Sequence, residues 1–274
     1  MRLDRATPSV FYYEDPDVIY KGRWRACMKV AAWQAPLLKS GSMDALVLIQ
    51  RRVEQCEADK ISFLCCPEAI LGGLADYSHD PTRFAIATDR VRAVFAPLAS
   101  NTVTTIVGFT ELADGGNLYN SAAVLHRGRL AGVYRKRYPA IRTSVYSAGA
   151  DTPVFRVGGL TFGIVICYDS NFSEPALRMT SLGATVLFVP TNNGLPHSKT
   201  EKDLAAQARE TDVARARENN LWIVRADVVG RTSELVSAGS SEIVRPDGTV
   251  LLSAQEFVEE ILVADIGDGS RIRS

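Results

Sequence analysis

The stretch Leu160–Asp169, LTFGIVICYD, decides the fold because an apolar strand in it ends on a cysteine and passes at once into polar sequence. Its continuous apolar run is typical of a strand covered on both faces. Cys167 is then predicted to be the last residue of that strand, with its thiol at the sheet edge. Ligands of open α/β sheets bind beyond the carboxyl ends of strands. The position therefore favours a nucleophile, although an arbitrary strand cysteine is more often inert packing.

Two other predicted strand ends carry charged groups that can serve such a thiol. Glu68 follows ISFLCCP, and Lys136 follows GRLAGVYR. A thiol near its free pKa is only partly ionised at pH 7, so it needs a base or a cation nearby. Glu68 is a candidate general base, with an acid at a helix N-terminus as the alternative. Lys136 lies in the basic run YRKRYP, which is usually a solvated face unless one cation turns inward to pair with Glu68.

Strand and helix patterns alternate along most of the chain and predict a layered α/β domain with mixed sheets. The predicted strands are 28–33, 61–66, 104–109, 185–190, 221–226 and 258–266. Two hairpins are predicted within 122–134 and 155–166, turning at Gly128 and at Gly158-Gly159. The predicted helices are 44–58, 80–97, 173–182 and 201–218. Hairpins beside strand–helix–strand units exclude a purely parallel sheet.

Length and charge limit the class of protein. The chain has 274 residues and no linker-like stretch, which predicts a single domain over 28–274 after an N-terminal arm over 1–27. Lys plus Arg and Asp plus Glu both total 31. A neutral chain lacks the basic footprint that nucleic-acid or membrane-surface binding needs. With no membrane-spanning run and no secretory signal at the N-terminus, we expect a cytoplasmic protein.

Cysteine and histidine usage indicates neither a metal site nor disulfides. The five cysteines include no C-x-x-C pair, and the three histidines are scattered. These spacings fit neither a zinc site nor a disulfide framework. We therefore expect reduced cysteines, no metal and no cofactor.

Six segments in order resemble the carbon–nitrogen hydrolase (nitrilase) superfamily over about residues 28–266. They are MKVAAWQAP, FLCCPEAILGG, LYNSAAVLHRGRLAGVYRK, GIVICYDSNFSEPALRMTSLGATVLFVPTN, RARENNLWIVRADVVG and GSSEIVRPDGTVL. The resemblance implies a four-layer α-β-β-α sandwich with two mixed β-sheets. It also implies a homodimer or higher homo-oligomer and chemistry without a metal or organic cofactor.

The same resemblance assigns roles to residues of this chain. Glu68 would be the general base, Lys136 the stabiliser of the oxyanion and Cys167 the nucleophile. The backbone N–H of Tyr168 would complete the oxyanion hole, and Glu111 in VGFTE would support the site from behind. The residues that would line the substrate pocket are Asn171, Phe172, Thr191, Asn192 and Asn193.

The Cys-Tyr-Asp context resembles the amidase and carbamoylase branches of that superfamily, whereas nitrilases tend to carry Cys-Trp-Glu. We therefore predict a cysteine-dependent hydrolase of an amide or N-carbamoyl bond that works through a thioester, with a nitrile as the alternative substrate. Many members carry a second glutamate after the lysine, but residues 137–149 contain no acid. This departure motivates a second alternative, a low-activity member that serves in binding or assembly. A third alternative is an unrelated Cys–His hydrolase that uses His197.

Overall fold

The computed structural model describes residues 12–14, 28–39, 41–157, 159–197 and 204–267. Its strands are β1 (Tyr12–Glu14), β2 (Met28–Pro36), β3 (Phe63–Cys65), β4 (Ile86–Ala87), β5 (Thr104–Leu112), β6 (Leu118–His126), β7 (Arg129–Arg135), β8 (Val154–Val157), β9 (Leu160–Ile164), β10 (Val186–Pro190), β11 (Leu195–Pro196), β12 (Trp222–Ala226), β13 (Val228–Arg231), β14 (Leu235–Ser237), β15 (Glu242–Val244), β16 (Val250–Ser253) and β17 (Glu260–Ile266). Its α-helices are α1 (Ala45–Ala58), α2 (Val91–Val94), α3 (Ser173–Ser181) and α4 (Leu204–Asn219). Short 3₁₀ helices cover Ala75–Tyr77, Thr88–Arg90, Ala96–Leu98 and Cys167–Asn171.

The strands form two mixed sheets. The larger has the order β11-β14-β13-β2-β3-β5-β6-β7, with β17 paired to β2 and β4 paired to β5. The smaller has the order β1-β8-β9-β10-β12-β15-β16. In the larger sheet β3 and β5 are parallel, and β7 shares their direction because it is antiparallel to β6, which is itself antiparallel to β5. In the smaller sheet β9, β10 and β12 are parallel. Each sheet therefore has several strand ends at one edge.

Alternating side chains build the layers, because successive residues of a strand point to opposite faces. Along β2, Val30 and Ala32 pack in the core shared with the smaller sheet, whereas Ala31 and Trp33 pack against α1. Beyond the smaller sheet, Met179 of α3 and buried residues of α4 close the core. The result is the four-layer α-β-β-α sandwich that the family resemblance implies, and this prediction is confirmed.

Aromatic rings fix the distance between the two sheets. Phe63 of β3 meets Phe162 of β9 edge-on, with ring centroids 5.6 Å apart. Phe188 of β10 completes the cluster, 5.2 Å from Phe162 and 5.9 Å from Phe63. Edge-to-face and offset pairs at such separations are the favoured aromatic geometries. The cluster lies just below the strand ends that carry the candidate residues.

The predicted helix over 80–97 is wrong. The segment instead forms β4, a 3₁₀ turn, the single turn α2 and a second 3₁₀ turn. Ile86 and Ala87 instead pair in parallel with Glu111 and Leu112 of β5, so their backbone groups bond to a strand and not within a helix. Pro97 at the start of the last turn prevents α2 from continuing. Tertiary pairing here outweighs the helical pattern.

Most of the predicted N-terminal arm lies outside the described residues. The described part is the backbone of β1, which pairs in parallel with Val154–Arg156 at the edge of the smaller sheet. None of the described helices is long and apolar enough to cross a lipid bilayer.

Gly108 of β5 lets the turn that carries Glu68 approach the larger sheet. A Cβ on Gly108 would lie 2.4 Å from both the Ala69 nitrogen and the Pro67 oxygen. Both are backbone atoms, so the turn cannot yield by a change of rotamer. A side chain here would displace Glu68.

We expect Gly108→Ala to lower the free energy of unfolding by about 3 kcal/mol, the upper end of the range for overpacking. Urea unfolding measures the change. Gly267→Ala is the control, because nothing lies within 4 Å of a Cβ at that position. Equal unfolding midpoints for the two variants would contradict the close approach.

Candidate active site

The ends of strands from both sheets meet at one place. Glu68 follows β3 and Lys136 follows β7 of the larger sheet. Cys167 follows β9 of the smaller sheet, and Asn192 and Asn193 follow β10. Hydrogen bonds join these loops: the Asn192 N–H donates to Glu68, and Cys167 Sγ lies 3.9 Å from Asn193 Oδ1. These five residues, all singled out from the sequence, thus lie together across the two sheets.

Glu68 is almost fully buried, with 1% of its surface exposed. Its Oε1 accepts from Lys136 Nζ and from Asn120 Nδ2, both at 2.6 Å. Its Oε2 accepts from the Asn192 backbone N–H at 3.0 Å. A carboxylate oxygen has two lone pairs, so Oε1 is saturated while Oε2 keeps one for a further proton. Oε2 is therefore the atom that can act as a base.

Lys136 is held inward by the carboxylate charge. The ammonium lies 2.6 Å from Glu68 and is 4% exposed. Burial lowers the pKa of Lys136, but the charges of Glu68 and Asp169 and the hydrogen bond to Glu68 raise it above its ordinary value. The lysine is therefore charged at neutral pH and donates one of its three N–H groups to Glu68.

Cys167 adopts a strained backbone conformation. The strand β9 ends at Ile164, so the prediction that Cys167 closes the strand is wrong by three residues, and Cys167 instead opens a 3₁₀ helix. Its φ is 46°, in the left-handed region. A residue other than glycine pays about 1–3 kcal/mol for such a conformation, which clusters at functional sites.

The surroundings of Cys167 favour its protonated thiol. Burial, followed by the charge of Glu68, raises its pKa to about 12, while Lys136 and Arg225 act in the opposite direction. A thiol with so high a pKa needs a base to become a nucleophile. Among the charged groups, Glu68 has the largest effect on this pKa.

Asp169 is a further buried carboxylate beside the cysteine turn that the sequence analysis did not single out. Its carboxylate accepts from the Ile166 N–H at 3.1 Å and from the Tyr134 hydroxyl at 2.7 Å. It also accepts from the backbone N–H groups of Arg137 and Tyr138. Burial raises its pKa to about 6, against the Lys136 charge and these hydrogen bonds. Asp169 thus links the segment after Lys136, which contains no acid, to the cysteine turn. In the sequence, the aspartate of the motif CYD was the signal that could have identified it.

Arg225 supports the other side of the cysteine turn, and the sequence analysis did not single it out either. It is 2% exposed and forms a two-pronged ion pair with Asp212 of α4. It further donates to Thr191 Oγ1 at 2.6 Å and to Ser170 Oγ at 3.1 Å, and Ser170 in turn donates to the Cys167 carbonyl. An arginine within an apolar strand, as in LWIVRA, was the signal in the sequence.

Some of the predicted pocket residues border Glu68 or Cys167, and the others contact different parts of the protein. Asn192 and Asn193 border Glu68 and Cys167 directly. Phe172 stacks on Tyr138 at 3.8 Å and meets the half-exposed Tyr168 edge-on. Asn171 instead accepts from Thr211 of α4. Thr191 is fully buried with its hydroxyl bound by Arg225, so its side chain presents nothing to a substrate.

Glu111 and His197 lie apart from the three central residues. Glu111 forms a two-pronged ion pair with Arg135 and accepts from Thr88 and Ser121. Arg135 and Lys136 are consecutive, so their side chains point to opposite faces of the sheet, and Glu111 lies on the face away from Glu68. His197 is exposed and bonds the Thr232 carbonyl.

The described residues offer neither a cluster of metal ligands nor a disulfide. Among them, no three His, Cys, Asp or Glu side chains gather in a way that could hold a metal ion. The four described cysteines are free thiols.

Comparison with known proteins identifies the family. The carbon-nitrogen hydrolase family model matches residues 29–272. A glutamine-dependent NAD(+) synthetase of Xanthomonas campestris pv. campestris (strain 8004) is 34% identical over 180 residues, which are 63% of this chain and 32% of that protein. An (R)-stereoselective amidase of Pseudomonas sp is 32% identical over 168 residues, 60% of this chain and 58% of that protein. The chain thus spans less than two thirds of the length of these two relatives.

A solved structure agrees in fold. The carbon-nitrogen hydrolase from Helicobacter pylori G27 superposes with a TM-score of 0.77 at 23% identity, covering 90% of this chain and 91% of that one. The chain belongs to the carbon–nitrogen hydrolase family, as the sequence resemblance predicted.

Lys136→Met should lower the free energy of unfolding by about 3–5 kcal/mol, because it leaves a buried carboxylate without its cation. Arg178→Met is the matched control: it breaks a surface pair with Glu174 at 3.7 Å, and such pairs contribute about 0.5 kcal/mol or less. Urea unfolding of both variants tests the difference. Similar losses in the two would show that the buried pair carries no special weight.

Proposed function

We propose that this protein hydrolyses an amide or N-carbamoyl C–N bond of a small molecule through a thioester on Cys167. The observation that carries the proposal is the arrangement at Glu68, whose Oε1 is saturated by Lys136 and Asn120 while Oε2 keeps a free lone pair. One buried carboxylate thereby orients a cation and remains available as a base. The name of one relative, an amidase, supports the same chemistry.

In the proposed mechanism, Glu68 takes the proton of Cys167 and the thiolate attacks the carbonyl carbon. A thiol with a pKa of about 12 requires such a base at neutral pH. Lys136 Nζ and the Tyr168 N–H would hold the oxyanion, and each such donor is typically worth about 10²–10³ in rate. Tyr168 is the second residue of its 3₁₀ helix, where an N–H has no intrahelical acceptor.

Collapse of the tetrahedral intermediate releases the amine, which takes its proton from Glu68, and leaves a thioester. The same carboxylate then takes a proton from water, whose oxygen attacks the thioester carbon and frees the acid and the thiol. Each proton that Glu68 accepts is returned within one cycle. The chemistry described uses side chains and water alone.

Intact-mass analysis tests the nucleophile. We expect a panel of primary amides, N-carbamoyl amino compounds and nitriles, quenched in acid, to include compounds that add their acyl mass to Cys167. Cys56→Ala, which changes a buried thiol of α1, should retain the adduct, and Cys167→Ala should lose it. Normal hydrolysis by Cys167→Ala would refute the proposal. Ligand binding without any adduct would instead favour a member that binds but does not turn over.

Glu68→Gln tests the base. The amide keeps the shape of the side chain but cannot take a proton, so we expect kcat to fall by about 10²–10⁴. Rapid-quench mass analysis should show slower formation of the thioester. A variant that forms the thioester at the wild-type rate would remove Glu68 from the acylation step.

A further inference from the structure

Asn193 is a side chain beside the thiol whose orientation is set by its own hydrogen bonds. Its Oδ1 lies 3.9 Å from Cys167 Sγ, the long limit for a hydrogen bond from a thiol. Its Nδ2 donates to Asp227 Oδ2 at 2.9 Å and to Ser240 Oγ at 3.1 Å. The two ends of the amide therefore have different tasks, one facing the nucleophile and one facing the protein.

Asp227 makes this orientation the only satisfactory one. It is fully buried and accepts four hydrogen bonds, from the N–H groups of Asn193 and Val228, from Asn193 Nδ2 and from Ser240 Oγ. An ionised carboxylate accepts and does not donate. A flipped Asn193 would turn its oxygen toward that carboxylate and lose both bonds.

Ser240 also disfavours the flipped orientation of the Asn193 amide. Its hydroxyl proton is given to Asp227 Oδ2 at 2.6 Å, so its oxygen can only accept from Asn193. Both neighbours of the Asn193 amide nitrogen are thus acceptors. The Oδ1 atom is thereby fixed as an acceptor on the side of Cys167.

Asn193 also borders a cavity of about 330 Å³, whose other lining residues include Ala205, Ala238 and Phe257 but none of Glu68, Lys136 and Cys167. A carbonyl carbon poised for attack lies about 3–3.5 Å from the nucleophile. The leaving atom of that carbonyl group is one bond further on, within hydrogen-bonding reach of an acceptor 3.9 Å from the sulfur.

We propose that Asp227 and Ser240 are positioning residues that fix Asn193 Oδ1 as a hydrogen-bond acceptor for the N–H of the scissile amide, and so select amides over esters. The inference rests on the proposed function, because it places the scissile bond at Cys167. An ester oxygen in the same place has no proton to donate, and its lone pairs would face those of Asn193 Oδ1, which is repulsive. A nitrile likewise brings no N–H.

Alkylation of Cys167 tests the selection without requiring turnover. Iodoacetamide and methyl iodoacetate differ in one group, an amide against an ester; in each the sulfur displaces iodide from carbon. We take the ratio of the two labelling rates, from intact mass and peptide mapping, divided by the same ratio for glutathione. One neutral hydrogen bond of about 1 kcal/mol corresponds to roughly a fivefold preference for the amide reagent in the wild type.

The variants separate positioning from simple damage. Asn193→Ala removes the acceptor, and Asp227→Asn permits the amide to flip; both should bring the normalised ratio to within twofold of one. Ser240→Ala keeps the Asp227 charge and should lower the ratio in part, which protects the test if Asp227→Asn does not fold. Asp265→Asn, at an exposed position of β17, is the matched control and should keep the wild-type ratio.

The outcomes are distinct. A wild-type ratio near one, or a preference that persists in Asn193→Ala, would overturn the inference. Equal slowing with both reagents in Asp227→Asn would show a structural role alone and would also overturn it. A protein that labels with the amide preference but hydrolyses no amide would refute the proposed function while leaving the orientation of Asn193 established. For any substrate pair that turns over, the amide-to-ester ratio of kcat/KM should fall in the same variants.

Discussion

The ion pair between Lys136 and Glu68 is the constraint on which the rest of the site depends. Both groups are almost fully buried, and a buried charge is costly unless it is paired and hydrogen-bonded. The Asn120 amide and the Asn192 N–H also donate to the carboxylate, so strands of the larger sheet and a loop of the smaller one must meet there. Gly108 is the steric counterpart, because it gives the Glu68 turn room to approach the larger sheet.

Further buried charged groups extend the same logic to each loop. Asp169 ties the segment after Lys136 to the cysteine turn, and Arg225 with Asp212 ties that turn to α4. Each of these charges is surrounded by oriented donors or acceptors rather than by water. The positions of side chains at the thiol are therefore set by a connected network, and few are free to adjust independently.

Local signals in the sequence predicted the mixed sheets and singled out the three central residues as candidates, whereas the four-layer order and the roles of those residues were implied by the family resemblance. Apolar runs mark strands, and each polar residue of interest follows one of them. The sequence did not predict Asp169, Arg225 or Asn120, since their importance comes from partners far along the chain, such as Arg225 with Asp212 and Asn120 with Glu68. The helix over 80–97 failed for the same reason: the pairing of Ile86 with Glu111 is not visible in a local pattern. Thr191 shows the converse, since the family resemblance implied a pocket residue there, whereas its hydroxyl accepts a hydrogen bond from Arg225 instead.

Asp227 stands where the chain leaves β12 of the smaller sheet and enters β13 of the larger one. Asp227 therefore lies at the connection between the two sheets and also orients Asn193 beside the thiol. Through this residue, the relative placement of the sheets affects the geometry of the site. A molecule held between Lys136 on one sheet and Asn193 on the other would bind the folded chain and not the unfolded one. Occupancy would then raise the melting temperature in proportion to the logarithm of ligand concentration. The seam between the sheets would act as a thermodynamic reporter of what the protein binds.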